Sequence, residues 1–364
     1  MQTSKPPLFR RIRRILCGTA AAWILCTVAA FAAEDTAAAL TPSPLNAAYL
    51  VPVGRTAGVK IFADGVLVTE LSQVMSAGVA RTPARDAGLQ PGDVITHVDG
   101  AAIASADELS RTMTERETVT LTVRRGEKTL SLSLRPCRDD STDVTRMGAF
   151  VRDSIAGIGT ITFYDPATGV FGALGHAICE GETGCAMPLG SGCLLPSTVT
   201  GVRRGESGTP GELVGALDLT GDAGSLHNNL ETGLYGVLDD TSLYPELLNE
   251  TPVEVGHADQ VTAGPVEILA NVSGTEVRRY QAEIVRVLDT DRPTRNLYLR
   301  ITDPALLALT GGIVQGMSGS PILQNGRLIG AVTHVTVSDP TCGYGILIDH
   351  MLHDAWAAEL RQAA

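Results

Sequence analysis

The chain has 364 residues, enough for two or three domains at roughly 150 residues each. Its 39 glycines, its 4% of aromatic residues and its frequent β-branched runs are typical of many short strands joined by tight turns. The formal net charge of −12 argues against a nucleic-acid-binding surface, which would need a basic patch.

Residues 1–33 have the order of an export signal. A basic stretch from Arg10 to Arg14 precedes an uncharged stretch from Ile15 to Ala33, with small residues around Ala30 to Ala32 that fit a cleavage site. An apolar stretch of about 19 residues can also just span a bilayer, so an uncleaved membrane anchor is the alternative. In both cases the remainder of the chain is exported. Residues 34–48, rich in alanine, threonine and proline, are predicted to be a flexible linker.

Seven cysteines are present, two of them inside the predicted signal. An odd remainder in an exported chain permits one or two disulfides with a thiol left over. The spacing lacks the close pairs of a structural zinc site, so we expect no metal and no cofactor. The five cysteines outside the signal are Cys137, Cys179, Cys185, Cys193 and Cys342.

Residues 49–135 are predicted to form one compact module. Ser105 and Glu108 have the spacing of a capping box, which starts a helix expected to run to about Arg116. Apolar residues then alternate with polar ones from Val119 to Leu134, around a turn, as in a half-buried hairpin.

This module resembles a PDZ domain through its Ala-Gly-Leu-x-Pro-Gly-Asp segment, Ala87 to Asp93, and the helix after it. The resemblance implies that a peptide C-terminus or an internal segment binds by strand addition. The alternative is a module that only packs on its neighbour. A polar joint, residues 136–145, is predicted to mark the next domain boundary. The strand expected to receive the peptide consists of Gly58, Val59, Lys60 and Ile61.

Residues 146–364 carry the glycine-punctuated apolar runs of an all-β double barrel, so the chain is predicted to be mainly β. One predicted strand, Phe171 to His176, ends in a histidine between small residues. Such a histidine can reach into a cleft without obstruction by its own neighbours. Taken alone, this stretch is better explained by a purely structural histidine.

The stretch from Gly311 to Pro321 contains the pattern Gly-x-Ser-Gly-x-Pro. Gly316 and Gly319 allow sharp turns, so the amides of Gly316 and Ser318 can converge on one point. Donors preorganised around a developing oxyanion each lower a barrier by roughly 3–4 kcal/mol. The pattern therefore predicts Ser318 as a nucleophile and the amides of Gly316 and Ser318 as its oxyanion hole. The alternative is a glycine-rich turn with incidental serines.

A serine nucleophile needs a base to take its proton and a third group to orient that base. In two-barrel serine proteases the histidine comes first along the chain, then the acid, then the serine. His176, Asp303 and Ser318 fit this order, whereas His334 and His350 follow the serine. Spacing alone leaves open four rivals: Ser320 as nucleophile, and Asp289, Asp291 or Asp339 as acid.

Several long motifs together resemble the SpoIVB peptidase family, serine proteases of endospore formers that carry a PDZ domain before the protease domain. The resemblance covers about residues 49–352. It implies that His176 is the general base, that Asp303 fixes its tautomer, and that Ser318 is the nucleophile. The motifs are Val151 to Thr160, Gly172 to His176, Ile301 to Pro304, Gly311 to Pro321, Gly330 to Val335, Asp339–Pro340 and Gly343 to Gly345.

The same resemblance implies export into the space between forespore and mother cell. It further implies self-cleavage near the N-terminus and cleavage of a membrane-bound regulator, which lets an intramembrane protease activate a late sigma factor. Thr333 and His334 lie where related proteases present an edge strand to the substrate. Two alternatives are an HtrA-type quality-control protease, which carries its PDZ domain after the protease domain, and a non-catalytic PDZ scaffold.

Overall fold

The structure is a computed structural model. It describes residues 48–114, 116–181, 183–244, 247 and 250–362. The predicted signal or anchor, residues 1–33, and all but the last residue of the predicted linker lie outside these ranges. Within them the chain is mainly β, as predicted, and no helix is both long and apolar enough to cross a membrane.

The first part of the described chain contains the predicted helix and hairpin. The helix begins as expected, because the Glu108 amide donates to Ser105 Oγ (3.1 Å) and the Ala104 amide donates to the Glu108 carboxylate (3.0 Å). It ends at Met113, earlier than the expected Arg116. The elements are β1 (Tyr49–Pro52), β2 (Thr56–Leu71), β3 (Val74–Ser76), β4 (Val79–Arg81), α1 (Pro83–Asp86), β5 (Val94–Val98), β6 (Ala101–Ala102), α2 (Ala106–Met113), β7 (Val119–Arg125), β8 (Lys128–Leu134), β9 (Cys137–Arg138) and β10 (Thr145–Arg146).

The middle of the chain adds β11 (Ala149–Tyr164), β12 (Val170–Ala173), β13 (Ser191–Arg203), β14 (Glu212–Leu217), β15 (Gly224–Leu230), β16 (Gly233–Leu238), a 3-10 turn (Thr241–Leu243), β17 (Val253–Glu254) and a second 3-10 turn (Ala258–Gln260). Six strands pair in a closed circuit, in the order β2, β11, β12, β16, β15, β13 and back to β2. We call this circuit the first barrel. Its strand β2 continues into the sheet that contains β5, β7 and β8.

The last part of the chain forms the second barrel, whose six strands close in the order β18, β19, β20, β23, β22, β21. All six come from one continuous stretch of sequence, so this barrel is assembled largely from hairpins. The elements are β18 (Gly264–Ser273), β19 (Glu276–Val287), β20 (Leu297–Ile301), α3 (Pro304–Thr310), β21 (Pro321–Gln324), β22 (Arg327–Thr336), β23 (Asp339–Leu347) and α4 (Ile348–Gln362).

The two barrels are joined by a buried polar network and by the last helix. Asn271 Oδ1 of β18 accepts two hydrogen bonds from the first barrel. One comes from Arg55 Nη1, just before β2 (2.9 Å), and the other from Thr56 Oγ1, the first residue of β2 (2.6 Å). Trp356 of α4 stacks on Phe163 of β11, with ring centroids 6.4 Å apart. Side chains of the first barrel, the second barrel and α4 share one apolar cluster. The end of β12 lies against the turn before β21, where a Cβ on Gly319 would be 2.6 Å from the Leu174 amide nitrogen.

The cysteines outside the predicted signal are all free thiols, so the disulfide permitted by their number does not form here. Cys179 and Cys185 are exposed, whereas Cys342 is buried. Among the described residues, no group of three or more histidine, cysteine or acidic side chains is arranged to hold a metal ion.

Candidate active site

The turn that carries Ser318 connects α3 to β21 and is braced by the first barrel. Gly316 and Gly319 both have a φ of +96°, a conformation that favours glycine. A Cβ on Gly319 would lie 2.0 Å from the Thr160 carbonyl oxygen. Thr160 of β11 donates its amide to the Ser318 carbonyl (3.0 Å) and its hydroxyl to the Gly316 carbonyl (2.7 Å). One strand of the first barrel thus fixes the backbone on both sides of the serine.

The amides of this turn fall into two groups. Those of Met317, Gly319 and Ser320 donate to backbone carbonyls within the second barrel. Across the described residues, the amides of Gly316 and Ser318 donate to no protein acceptor. The pair predicted as an oxyanion hole is therefore the pair left free to bind an anionic oxygen.

A cavity of about 450 Å³ lies beside the turn and is lined by Ser318, Gly316, His176 and His334, together with apolar residues of β11. His176 reaches it from the loop after β12. Gly175 places this loop directly on the second barrel, because a Cβ there would lie 2.8 Å from Thr333 Cγ2. The structure thus brings together the predicted nucleophile Ser318, the predicted base His176 and Gly316, whose amide is predicted to form the oxyanion hole with that of Ser318.

The His176 ring is half-buried, and its Nδ1 lies 2.8 Å from the Ala177 carbonyl oxygen. Burial lowers the pKa of His176 below its ordinary value, and the hydrogen bond to the carbonyl partly opposes that shift. A neutral ring with its proton on Nδ1 donates to Ala177 and leaves Nε2 as a proton acceptor. This is the tautomer that a general base for Ser318 requires.

The Ser318 hydroxyl donates to the Thr333 carbonyl at 2.6 Å. Among the hydrogen bonds of the described residues, none joins Ser318 to His176. Nucleophile and base therefore share the cavity while each is bonded to a backbone carbonyl. Proton transfer requires the hydroxyl to turn from Thr333 towards the imidazole, which a rotation about χ1 of the serine can achieve.

Asp303, predicted to orient His176, is placed elsewhere. It is the N-cap of α3, where its Oδ1 accepts from the amides of Ala305 (2.9 Å) and Leu306 (3.1 Å) and its Oδ2 accepts from the Gln281 amide (3.2 Å). It does not line the cavity that holds His176. A proline directly after an aspartate at a strand end is also a helix-start signal, and that is the role this structure gives Asp303. The geometry does not support the predicted contact with the histidine.

The rivals left open by spacing are also absent from the cavity lining. Ser320 is fully buried, and its hydroxyl has no partner within the described chain. Asp289 pairs with Arg292, and Asp339 accepts hydrogen bonds from Thr341. Ser318 is thus the serine placed for nucleophilic attack.

The strand predicted to receive a PDZ ligand has no free edge, which corrects that prediction. Gly58, Val59, Lys60 and Ile61 pair with β11 on one side and with β13 on the other, inside the first barrel. A peptide cannot add to a strand whose two edges are already hydrogen-bonded. Only Val59 of the four lines the catalytic cavity.

The later half of β2 is also covered. Residues 149–152 of β11 pair with Leu71 to Leu67 of β2, and Asp153 accepts a hydrogen bond from the Ala106 amide at the start of α2 (2.9 Å). Because a peptide adds only to a free strand edge, β11 occupies an edge of β2 that a ligand would otherwise need.

Thr333 and His334, predicted to present a strand to the substrate, lie next to the nucleophile on β22. Strand β21 pairs with β22 only as far as Ala331, whereas β23 continues along the other side. The edge of β22 that faces Ser318 therefore has no strand partner beyond Ala331. This geometry is compatible with substrate addition, and the substrate role of the two residues stays a prediction.

Two residues near the site, Thr160 and Asn229, are not among the site residues predicted from sequence. Thr160 braces the serine turn, as described above. Asn229 of β15 holds the histidine loop, because its side chain exchanges hydrogen bonds with both backbone groups of Ile178 (2.8 and 2.9 Å) and donates to the Met187 carbonyl (2.9 Å). Thr160 ends the motif Val151 to Thr160, which could have pointed to it, whereas Asn229 lies in none of the motifs. Each acts on a segment distant in sequence.

Two family models match the chain. One, described as SpoIVB peptidase S55, matches residues 143–352, and a PDZ domain model matches residues 74–125. Among solved structures, the PDZ domain of the SdrC-like protein from Listeria monocytogenes is 26% identical, over 25% of this chain and 90% of that chain, with a TM-score of 0.20. A score that low carries no argument about the fold. The search of curated proteins gives no match.

Proposed function

The chain belongs to the SpoIVB peptidase S55 family, and on that premise we propose that it is an exported signalling peptidase of sporulation. The protein is a serine peptidase. Its PDZ domain together with the peptidase domain implies that it binds protein substrates. The observation that carries the proposal is the cavity lined by both His176 and Ser318, beside two amides that have no acceptor in the described part of the chain.

The reaction begins when the Ser318 hydroxyl turns from Thr333 to His176. Nε2 of His176 takes the hydroxyl proton while Oγ attacks the scissile carbonyl, and the resulting oxyanion accepts hydrogen bonds from the amides of Gly316 and Ser318. His176 then gives the proton to the leaving amine, which leaves an acyl-enzyme. Water, deprotonated by the same imidazole, hydrolyses the acyl-enzyme and restores the serine.

The biological setting is proposed from the family. The peptidase crosses the cytoplasmic membrane into the space between forespore and mother cell, through a cleaved signal or held by an anchor at residues 1–33. There it cleaves itself near the N-terminus and then a membrane-bound regulator. The second cut lets an intramembrane protease activate a late sigma factor.

In this scheme the PDZ domain docks or restrains the protease domain. Residues 149–152 of β11 cover an edge of β2, so a C-terminal or internal peptide of a partner that adds there has to compete with the protein's own strand. The order of domains, with the PDZ domain first, distinguishes this arrangement from the HtrA type.

The proposal is tested by mass spectrometry of purified full-length wild-type protein and of Ser318→Ala after incubation, with casein added as a general substrate. Wild-type protein should shorten at its N-terminus and cut casein. Ser318→Ala should do neither while keeping the wild-type melting temperature. Ser320→Ala is the matched control, because it removes a buried hydroxyl without a partner in the described chain. Cleavage by Ser318→Ala would refute the assignment of the nucleophile, and intact wild-type samples would refute the activity.

A further inference from the structure

A second cavity adjoins the catalytic one and carries a positive charge. It has a volume of about 570 Å³, and its lining shares His176 and His334 with the catalytic cavity. The centroids of these two rings are 5.1 Å apart, and the cavities meet at them. Arg292 and Arg295 also line the second cavity, with Glu231 as the carboxylate. Two arginines against one carboxylate leave one positive charge, in a protein whose formal net charge is −12. We call this space the arginine cavity.

The loop between β19 and β20 carries both arginines and is fixed by Asn296, which is fully buried. The Asn296 side-chain nitrogen donates to the carbonyls of Asp289 (3.0 Å) and Arg292 (2.7 Å). Its side-chain oxygen accepts from the Leu347 amide (3.1 Å) at the end of β23. The loop backbone is therefore held in place before a substrate binds, which lowers the cost of ordering it on binding.

The charge of Arg295 is the one left uncommitted. Arg292 forms an ion pair with Asp289 (3.4 Å), whereas no ion pair joins Arg295 to a carboxylate of the described chain. The guanidinium carbon of Arg295 lies 5.7 Å from the centroid of the Tyr344 ring, a contact that places the group without neutralising it. Its charge also acts on the cavity wall. Burial is the main reason that the pKa of His334 falls to about 4, and the positive charge of Arg295 contributes.

The predicted substrate strand has one stretch of β22 available to it. Strand β21 covers the edge of β22 up to Ala331, so a substrate can pair only with the residues that follow. Both β21 and β23 pair antiparallel with β22. In an antiparallel substrate, the residues that precede the scissile bond run along β22 in the direction away from Ala331.

This direction leads the substrate past the arginine cavity. The Ser318 hydroxyl is bonded to the Thr333 carbonyl (2.6 Å), so the residue that supplies the scissile carbonyl lies beside Thr333. The residue before it lies opposite His334. Residues opposite each other on paired strands point their side chains to the same face. The side chain of the second residue before the scissile bond therefore points to the face that carries the His334 ring, which lines the arginine cavity.

We propose that the arginine cavity is a substrate subsite that selects an acidic side chain, aspartate or glutamate, at the second residue before the scissile bond. Arg295 is its specificity-determining residue and donates hydrogen bonds to the substrate carboxylate. A guanidinium can form two parallel hydrogen bonds to a carboxylate, which adds geometric selection to the attraction of charge. This inference rests on the proposed peptidase activity and names a feature of its substrates.

The first test uses the wild-type full-length protein alone. A peptide library that contains every residue type at each position is incubated with the protein, and mass spectrometry identifies the new peptide ends. Aspartate and glutamate should be enriched about fivefold at the second residue before the cut, the upper end of what an exposed ion pair contributes. No acidic enrichment, or enrichment at other positions only, would overturn the proposal.

The second test measures kcat/KM for two matched peptides that have glutamate or glutamine at that position. The ratio should be about five in wild-type protein and should fall to about one in Arg295→Gln. In Arg295→Glu the ratio should fall below one, because the charge of the subsite is reversed. Arg300→Gln is the matched control, since it removes an exposed arginine of the same barrel that lines neither cavity and pairs with Glu283 (3.9 Å). It should keep the wild-type ratio.

A wild-type ratio in Arg295→Gln would overturn the role of Arg295. An equal fall of the ratio in Arg295→Gln and Arg300→Gln would also overturn it, because the preference would then follow net charge alone. The peptidase activity is refuted by different results. These are a wild-type protein that cuts no peptide of the library, or cutting that persists in Ser318→Ala.

Discussion

The two sides of the catalytic cavity are held in different ways. On the serine side, every amide from Met317 to Ser320 except that of Ser318 is bonded to the protein, and Thr160 adds two contacts from the opposite barrel. On the histidine side, the described residues give the His176 ring one hydrogen bond, to the carbonyl of the next residue. The oxyanion hole is therefore preorganised, whereas the position of the base depends on how its loop is supported.

The largest effect is expected from disturbing the braced side. Gly319→Ala would place a Cβ 2.0 Å from the Thr160 oxygen, at a φ of +96°. Backbone strain and the clash together should lower the free energy of unfolding by about 3 kcal/mol and abolish peptidase activity. Thermal melting and casein cleavage measure the two effects.

The matched control for that change is Gly326→Ala. Gly326 also has a positive φ, +80°, but a Cβ there meets no atom within 4 Å. Gly326→Ala should lower the free energy of unfolding by about 1 kcal/mol, because of the backbone conformation alone, and leave peptidase activity intact. If both substitutions lower the free energy of unfolding equally, the clash with Thr160 does not contribute to the destabilisation by Gly319→Ala.

An intermediate effect is expected from loosening the histidine side. Asn229→Ala removes the hydrogen bonds that tie β15 to Ile178 and Met187. We expect a loss of about 2 kcal/mol in unfolding free energy and a roughly tenfold lower kcat, because the base is less well positioned. The neighbouring Asn228→Ala is the control, since its side chain makes no hydrogen bond within the described chain. A wild-type kcat in Asn229→Ala would show that the loop is supported by other contacts.

The smallest effect is a displaced pH profile. Burial lowers the pKa of His176 below its ordinary value of 6.5, so the ring stays neutral and able to accept a proton in mildly acidic solution. Activity should therefore be lost on the acidic side with a midpoint below pH 6.5, as measured by kcat/KM against pH. A midpoint above 6.5 would indicate that an anion stabilises the imidazolium in the free enzyme.

Local chemistry made part of this site predictable. The Gly-x-Ser-Gly-x-Pro pattern demands a turn wherever the chain places it, so Ser318 and the free amides of Gly316 and Ser318 could be predicted. The N-cap at Ser105 was predictable for the same reason, although the Glu108 carboxylate accepts from the amide of Ala104 rather than from that of Ser105. Asp303 was misleading, because a carboxylate before a proline satisfies the rule for a helix start as well as the chain order of a triad.

Contacts between distant segments could not be predicted in this way. Gly58 to Ile61 form a strand as expected, but their partners are residues 155–158 of β11 and residues 192–195 of β13, both far along the chain. Nothing in the strand itself says whether its edge is open to a peptide. For the same reason the contact between the rings of His176 and His334 leaves no trace in their spacing.

The sequence by itself determined where strands, turns and the serine loop occur, because these depend on side-chain periodicity and on backbone angles that only glycine adopts easily. The tertiary structure alone decided which strand edges are covered, which acid caps a helix, and which ring lies beside His176. Those outcomes depend on the closure of two barrels and on burial. Both are properties of segments that meet in space after long separations along the chain.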